Sequence, residues 1–378
     1  MNRDLLVTSH TPTLGSGRAL RTYGIVRALA QRGPLDLLYP LFGSTEASPE
    51  YRQLDQVRLW PVKPSRGPRR ALAYAAARAR GVPAGFARGV SPELARRATA
   101  LTAEPDRGWV IADGPTVAAA LMGLARRRPV IYNAHNVESA FRGQLDSSRG
   151  GLDDQPALER FERRLLGVME EAWMASEADI ERARELAPAT RLRYVPNVVD
   201  VEAITPVAPD GGADQRTALF VADFSYEPNR RALAFLVEEV MPGVWEQLAD
   251  AHLTVVGRGA PPVLLGDPRV QAAGFVADLD AMYATAACVV VPLLQGGGSP
   301  LKFIEAMAHG VPVLGTSVAT AGLAGVAGKH YLRADGPERF AATLVGVLKA
   351  GAPEIGAAGR QLAESHYSIS ALSERLRR

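Results

Sequence analysis

The stretch VVVPLLQGGGSPLKFIEAMAHGVPVLGTS, residues 289–317, joins two apolar runs through a glycine turn and a short helical pattern. Residues 289–294 are continuously apolar and rich in β-branched side chains, the pattern of a parallel strand covered on both faces. Gly296, Gly297 and Gly298 follow, where a chain without Cβ atoms can turn sharply and admit a ligand close to its backbone. Ser299 is expected as a helix N-cap and Pro300 as the first helical residue. The N–H groups of Leu301, Lys302 and Phe303 would then lack intrahelical partners, and with the helix dipole they would favour an anion such as phosphate. Lys302 adds a full charge in the first turn, Glu305 falls near the same face, and Leu301, Ile304 and Ala308 form the apolar stripe. Gly310 ends the helix and VPVLGT begins the next strand. Alone, the segment fits a phosphate site and an ordinary turn with a solvated Lys-Glu pair about equally well.

The whole chain narrows the choice. Its 378 residues suggest two or three domains, and 47% hydrophobic against 22% charged residues is ordinary for a globular enzyme and wrong for a disordered chain. The single cysteine, Cys288, rules out an internal disulfide and fits a reducing compartment. No apolar run reaches the length of a membrane span, and MNRDLLVTSH reads as a short strand rather than a signal peptide, so a cytoplasmic protein is expected. Net charge is +3 but unevenly spread: residues 1–195 hold 29 Lys/Arg against 21 Asp/Glu, and the remainder 14 against 19. Residues 51–100 carry 11 basic and 2 acidic side chains, a balance suited to an anionic acceptor or an anionic lipid surface. Only four of the 43 basic residues are lysine, a bias that composition alone can also produce. Aromatics beyond Tyr74 are missing from the basic stretch, and no nucleic-acid-binding module is matched.

Strand-like and helix-like runs alternate throughout. DLLVTS, LDLLYP, VRLWPV, WVIADG and VIYNAHN read as strands, separated by amphipathic segments such as 18–32 and a long one at 158–175. LRYVPNVVDVEAITPVAPDGGADQRT, rich in Pro, Gly and Asp, reads as a linker. The alternation resumes with ALFVAD, a helix at about 230–248, HLTVVGRG, VQAAGFVAD, CVVVPL and VPVLGT. The expectation is α/β, with two Rossmann-like, doubly wound parallel-sheet domains whose ligands bind beyond the carboxyl ends of the strands, in a cleft between them. The boundaries expected are an acceptor-side domain at 1–195, a linker at 196–216, a donor-binding domain at 217–360, and a C-terminal helix at 361–378 packing back towards the first domain.

At this point the chain resembles the retaining nucleotide-sugar glycosyltransferases of GT-B fold, specifically glycosyltransferase family four. GGGSPLKFIEAMAHGVPVLGTS is similar to the family's donor-binding signature, a glycine turn followed by (Thr/Ser)-Pro-Leu-Lys and EAMA-x-G-x-PV. Supporting likenesses occur in the family's order: SHTPTLGSGRALRTYGIVRALAQRG, YNAHNVES, ASEADIERA, VPNVVD, FVADFSYEPNRRAL, VVGRGAP and GFVADLDAMYATAACVVVPL. Each is weak alone, and the order makes them specific.

The resemblance implies that Glu305 accepts hydrogen bonds from the donor ribose, a task suited to a carboxylate. It implies that Lys302 and the N–H groups of Leu301 and Lys302, beside Gly297, Gly298 and Ser299, neutralise the diphosphate as it leaves, with no metal or other cofactor needed. Phe275 and Val276 fall where relatives hold the base, and Gly257 lies in the neighbouring VVGRGAP loop. Gly15 and Gly17 would let the N-terminal loop approach the donor, with Arg18 as a phosphate contact. His135 falls beside the transferred sugar, where it would hydrogen-bond and position it, the anomeric configuration being retained through a front-face, oxocarbenium-like path. His135, Lys302 and Glu305 are thus the expected catalytic residues. The chain departs from the pattern twice. Many relatives carry a glutamate eight residues before Glu305, where this chain has Gly297, and an arginine where it has Asp223, a loss that Arg230 or Arg231 could offset.

Blander readings stand beside these. His135 could be a satisfied strand-end histidine, with Asn136 and Glu138 capping the following helix. Asp113 and Asp223 end strands, as acids routinely do, and stay outside the catalytic set. GSGRAL lacks the third glycine of a dinucleotide loop, and VVGRGAP puts prolines where a helix should start, which disfavours a nicotinamide-dependent oxidoreductase. The expected activity is transfer of a sugar from a nucleotide-diphosphate sugar to a glycan, lipid-linked or natural-product acceptor. The alternatives are a nucleotide-sugar epimerase and a catalytically silent nucleotide-sugar-binding subunit. Nucleic acid is not an expected partner, whereas residues 64–88 offer a basic face for peripheral membrane contact.

Overall fold

A computed structural model describes residues 2–42, 45–104, 106–140, 155–207, 214–276, 278–296 and 299–377. The chain divides into two units, one of residues 1–197 and 372–378 and the other of residues 198–371.

The first unit is built on seven parallel strands: β1 (Arg3–Thr8), β2 (Leu35–Pro40), β3 (Val57–Val62), β4 (Arg107–Asp113), β5 (Ile131–Asn133), β6 (Glu171–Met174) and β7 (Arg191–Tyr194). Their order is β3-β2-β1-β4-β5-β6-β7, so the direction of winding reverses between β1 and β4. Leu5, Leu6, Val7, Val110, Ile111 and Ala112 are buried, as central strands covered on both faces require. A helix at Gly17–Arg32 follows β1, with the Ser16 side chain accepting from the Ala19 N–H at its start. The segment expected as one long amphipathic element at 158–175 is instead a helix, Gln155–Leu166, a turn, and strand β6. The helical period stops at Gly167, and after three further residues Glu171–Met174 pair with β5 and β7. Strand β7 likewise occupies the start of the expected linker, and β8 its end. Residues 372–378 count with this first unit, where Arg32 Nη1 donates to the Leu376 carbonyl at 3.1 Å.

The second unit holds six parallel strands: β8 (Asp214–Val221), β9 (His252–Val256), β10 (Val270–Gly274), β11 (Ala286–Val291), β12 (Val313–Gly315) and β13 (Leu332–Arg333). Their order is β10-β9-β8-β11-β12-β13, with the reversal between β8 and β11. Cys288, Val289, Val290 and Val291 are all buried, and Cys288 is a free thiol pushed up to about 12 by burial. The helix expected at about 230–248 starts earlier, at Glu227, and carries a π turn at Phe235–Val240 before continuing as Met241–Gln247. Each unit has its own apolar core. Full burial of a side chain such as Leu5 or Phe303 stabilises by about 1.5–3 kcal/mol, so the two cores together provide the rigid frames on which strand-end residues are held.

Candidate functional site

In each unit the candidate residues cluster where the winding reverses, the position at which open α/β sheets bind ligands. In the second unit these are the segments after β8 and β11. Gly297 and Gly298 lie outside the described residues. The helix after the turn is Leu301–Ala308, one residue later than the sequence suggests, because Pro300 keeps an extended ψ of 121° and is itself the N-cap. Ser299 is buried and does not cap the helix with its side chain. Phe303 donates its N–H to the Pro300 carbonyl at 2.9 Å, so the N–H groups at this helix start with no partner among the described residues are two, Leu301 and Lys302, rather than three. Gly310, at φ 74°, closes the helix in the left-handed region that glycine tolerates.

Lys302 and Glu305 do not form the solvated pair that a bland reading allows. Lys302 Nζ donates instead to Asn229 Oδ1 at 2.8 Å and sits 5.3 Å from the centre of the Phe220 ring. Burial pushes its ammonium down to about 8, against the opposing pull of the Glu305 and Asp223 charges. Burial also raises the Glu305 carboxyl, with Lys302 acting in the other direction. The Glu305 carboxylate makes no hydrogen bond or ion pair with another described residue, leaving both oxygens available to hydroxyl donors. Asn229 is fixed in turn by donating Nδ2 to the Asp223 carbonyl at 2.7 Å. Asp223 itself accepts from the Ser225 N–H at 2.9 Å, and Arg230 is held by Glu227 and the Ser225 carbonyl, so neither side chain points freely towards a phosphate.

Two neighbouring strand ends complete this set. Gly257, after β9, has φ 138°, and a Cβ there would lie 1.7 Å from the Ala222 carbonyl oxygen. The glycine is therefore required by the close passage of the backbone after β8. Phe275, after β10, is 71% exposed, with the Arg258 guanidinium 5.7 Å from its ring centre, and Val276 beside it is half-buried. An exposed aromatic ring at a strand end offers a face on which a planar group can stack.

In the first unit, Asp113 ends β4 and is fully buried. Its Oδ2 accepts from Thr22 at 2.7 Å, and its Oδ1 accepts from Asn133 Nδ2 at 2.7 Å and from His135 Nε2 at 3.0 Å. Burial would raise this carboxyl, but His135 and the other donors outweigh it and hold Asp113 well below the usual carboxylate range. His135 is shifted down, chiefly by burial, so the pair is a carboxylate and a neutral imidazole. With Nε2 donating to Asp113, Nδ1 becomes an acceptor, and it is buried without a partner among the described residues. His10, after β1, is arranged similarly: Nδ1 lies 3.0 Å from Thr8 Oγ1, and Nε2 is buried without a partner among the described residues. Arg21 ties the strand ends together, donating to Asn133 Oδ1 at 2.8 Å, the Val195 carbonyl at 2.9 Å and Asn197 Oδ1 at 3.1 Å.

Gly15 and Gly17 precede and open the first helix, with open space where a Cβ would stand, so packing does not demand glycine at either. Arg18 is exposed, and its charge acts on both His10 and His135. The helix that starts at residue 138 is capped from elsewhere: Glu162 accepts the N–H groups of Glu138 and Ser139, and Asp179 that of Val137. Asn136 and Glu138 are thus not its side-chain caps. Reasoning from sequence set Asp113 outside the catalytic residues and passed over His10, Arg21 and Asn229. The available signal was position alone, since Asp113 and His10 stand at or just past the ends of the two central strands.

Residues 215–350 match the family model described as Glycosyl transferases group 1. No curated protein matches the chain. Among solved structures, it is similar to sucrose-phosphate synthase from Thermosynechococcus elongatus, with 16% identity, TM-score 0.72, and 100% of this chain and 97% of that one covered. It is similar to Anabaena HepE in complex with UDP and glucose, with 13% identity, TM-score 0.68, and coverage of 99% and 98%. It is also similar to S. aureus TarM, with 10% identity, TM-score 0.69, and coverage of 100% and 98%. The parallel-sheet units and these likenesses are those of the GT-B fold. Residues 215–350 thus match a group 1 glycosyl transferase domain, and the chain as a whole has the GT-B fold.

Proposed function

We propose that this protein is a retaining transferase of the glycosyltransferase family four type, moving a sugar from a nucleotide-diphosphate sugar to a glycan, lipid-linked or natural-product acceptor. The observation that carries the proposal is the head of helix Leu301–Ala308. There a desolvated ammonium, together with two N–H groups and a carboxylate that have no partner among the described residues, occurs on one helix, directly after a strand at the point where the sheet reverses. A diphosphate fits the first two and a pair of ribose hydroxyls fits the third. HepE and TarM have both been solved with UDP, which makes uridine the first base to test here.

In this mechanism the bond from the anomeric carbon to the diphosphate oxygen breaks while Lys302 and the Leu301 and Lys302 N–H groups stabilise the growing charge. The acceptor oxygen attacks from the same face, and the leaving phosphate oxygen takes its proton. His135, its tautomer set by Asp113, presents Nδ1 as an acceptor for a sugar hydroxyl. Charge neutralisation by Lys302 and the helix start is the reason a metal is not required in this scheme. No observation favours the epimerase or the silent-subunit alternative.

No helix among the described residues is long and apolar enough to cross a membrane. We place the protein in the cytoplasm, with peripheral membrane contact through helix Gly67–Ala79, which buries only Ala77, leaves Leu72 70% exposed and is flanked by arginines. The transferase reading is tested by incubating the protein with UDP-glucose and following release of UDP by coupled assay and the anomeric configuration of the product by NMR. Release that persists in EDTA, with the configuration kept, is the expected result. An inverted product, or activity abolished by EDTA and restored by a divalent ion, would refute the mechanism.

A further inference from the structure

A second concave site lies within the first unit, apart from the residues given to the donor and to His135, and partly walled by helix Gly67–Ala79. It is a cavity of about 540 Å³ beyond the carboxyl ends of β2 and β3, lined by Lys63, Arg66, Arg70 and Arg88, with Phe42 as part of its apolar wall. A volume of this order holds a small ligand rather than a water or two. The balance of charge is distinctive. Glu93 is the one acid lining the cavity, and it is already engaged: Ser65 and Ser91 donate to it, and Arg96 lies 3.5 Å away. The four cations are exposed, and none makes an ion pair among the described residues. Two of them stand at the start of helix Gly67–Ala79, Arg66 as N-cap and Arg70 in the first turn, where no acid is present. Helix starts normally attract acids, because the dipole is positive there. Placing arginines at that end adds like charge to like, and an anionic occupant would relieve that repulsion.

Resting on the transferase reading, we propose that this cavity binds a phosphate ester carried by the acceptor. Guanidinium groups grip phosphate oxygens in pairs, the positive end of the helix dipole favours the same charge, and the Phe42 wall, 49% exposed, covers an apolar or sugar face. The ester is either a soluble sugar phosphate or the headgroup of a phospholipid, and both present the same oxygens. A concave site of this size selects a group that can enter it, which sets it apart from a flat basic face held to a bilayer by charge alone.

The experiment uses the full chain, as wild type and as an Arg66→Ala/Arg70→Ala double variant, with two probes read in parallel. The first is glucose 6-phosphate against glucose, by calorimetry. The second is phosphatidylcholine vesicles with or without phosphatidic acid, by flotation. Affinity for UDP is measured on every sample as the independent readout of the donor site. The expected result is binding of one phosphate probe and not of its uncharged counterpart, weakened at least about tenfold in the double variant while UDP affinity is unchanged and Tm does not fall. Binding of glucose 6-phosphate assigns a soluble ester and binding of the phosphatidic acid vesicles alone a lipid one. Failure of both probes with UDP bound, or equal phosphate binding in the double variant, overturns the inference and leaves the transferase reading standing. Failure of UDP to bind the wild type counts against that reading instead.

Discussion

Lys302 ties nucleotide affinity to pH in a way that other surface lysines would not. Its ammonium is held at about 8 by burial, so it carries a proton in about nine-tenths of free molecules at pH 7 and about one-tenth at pH 9. A bound diphosphate favours the charged form and raises that value, so binding at pH 9 must take up a proton that is already present at pH 7. Affinity for the nucleotide is therefore expected to fall about tenfold between these pH values, or about 1.4 kcal/mol. The nucleotide's own phosphate titrates near 6 and stays ionised across this window. Calorimetry at several pH values, each in two buffers of different ionisation enthalpy, reads both the affinity and the proton uptake. Lys302→Met should bind more weakly at pH 7 and show neither the pH dependence nor the uptake. Stability should move the other way. A lysine lowered on folding binds its proton more readily when unfolded, so between about 8 and the ordinary 10.5 its contribution to stability rises with pH. Nucleotide affinity that is flat from pH 7 to 9 in the wild type would refute the placement of the diphosphate at Lys302.

Three further outcomes follow from the same contacts. Glu305→Ala should raise the nucleotide dissociation constant by an amount worth about 1.5–3 kcal/mol, the range for hydrogen bonds to a charged group; unchanged affinity by titration would remove Glu305 from the site. Asp113→Asn should lower Tm at pH 7 by a loss of about 1.5–3 kcal/mol, since it strips the charge from an acceptor of three buried hydrogen bonds. Because the folded carboxyl lies below its unfolded value, this stabilisation is present above about pH 4 and fades in stronger acid; a variant as stable as the wild type at pH 7 would contradict it. Charge reversal at Arg69, Arg70, Arg78 and Arg80 should reduce partitioning onto anionic vesicles in flotation assays, and equal partitioning would end the membrane reading of helix Gly67–Ala79.

The buried parallel strands were legible because their side chains are chemically uniform: runs such as VVVP and DLLVT leave little choice of element. Strands β6, β7 and β13 were not, and β6 shows why. It contains Glu171, whose charge suggests a solvent-facing helix, yet Glu171 is buried and paired to Arg193 of β7 at 2.5 Å. A single strand cannot reveal a compensation that comes from its neighbour. The same limit applies at the site. Lys302 and Glu305 were legible from local helix geometry, whereas Asn229 meets Lys302 across 73 residues of chain. Asp113 and His135 are joined only because β4 and β5 pair in the register that sets Asp113 beside Asn133. A strand-end aspartate looks ordinary until the histidine it holds is placed next to it.

The central claim is that the start of helix Leu301–Ala308 holds the diphosphate of a nucleotide sugar. Its most direct test is a calorimetric or thermal-shift screen of the protein against UDP, GDP, ADP and dTDP, with and without EDTA and with NAD as control. Stabilisation by one of these diphosphates, unaffected by EDTA and lost in Lys302→Met, is the expected result. No response to any of the four, or an equal response to NAD, would contradict it.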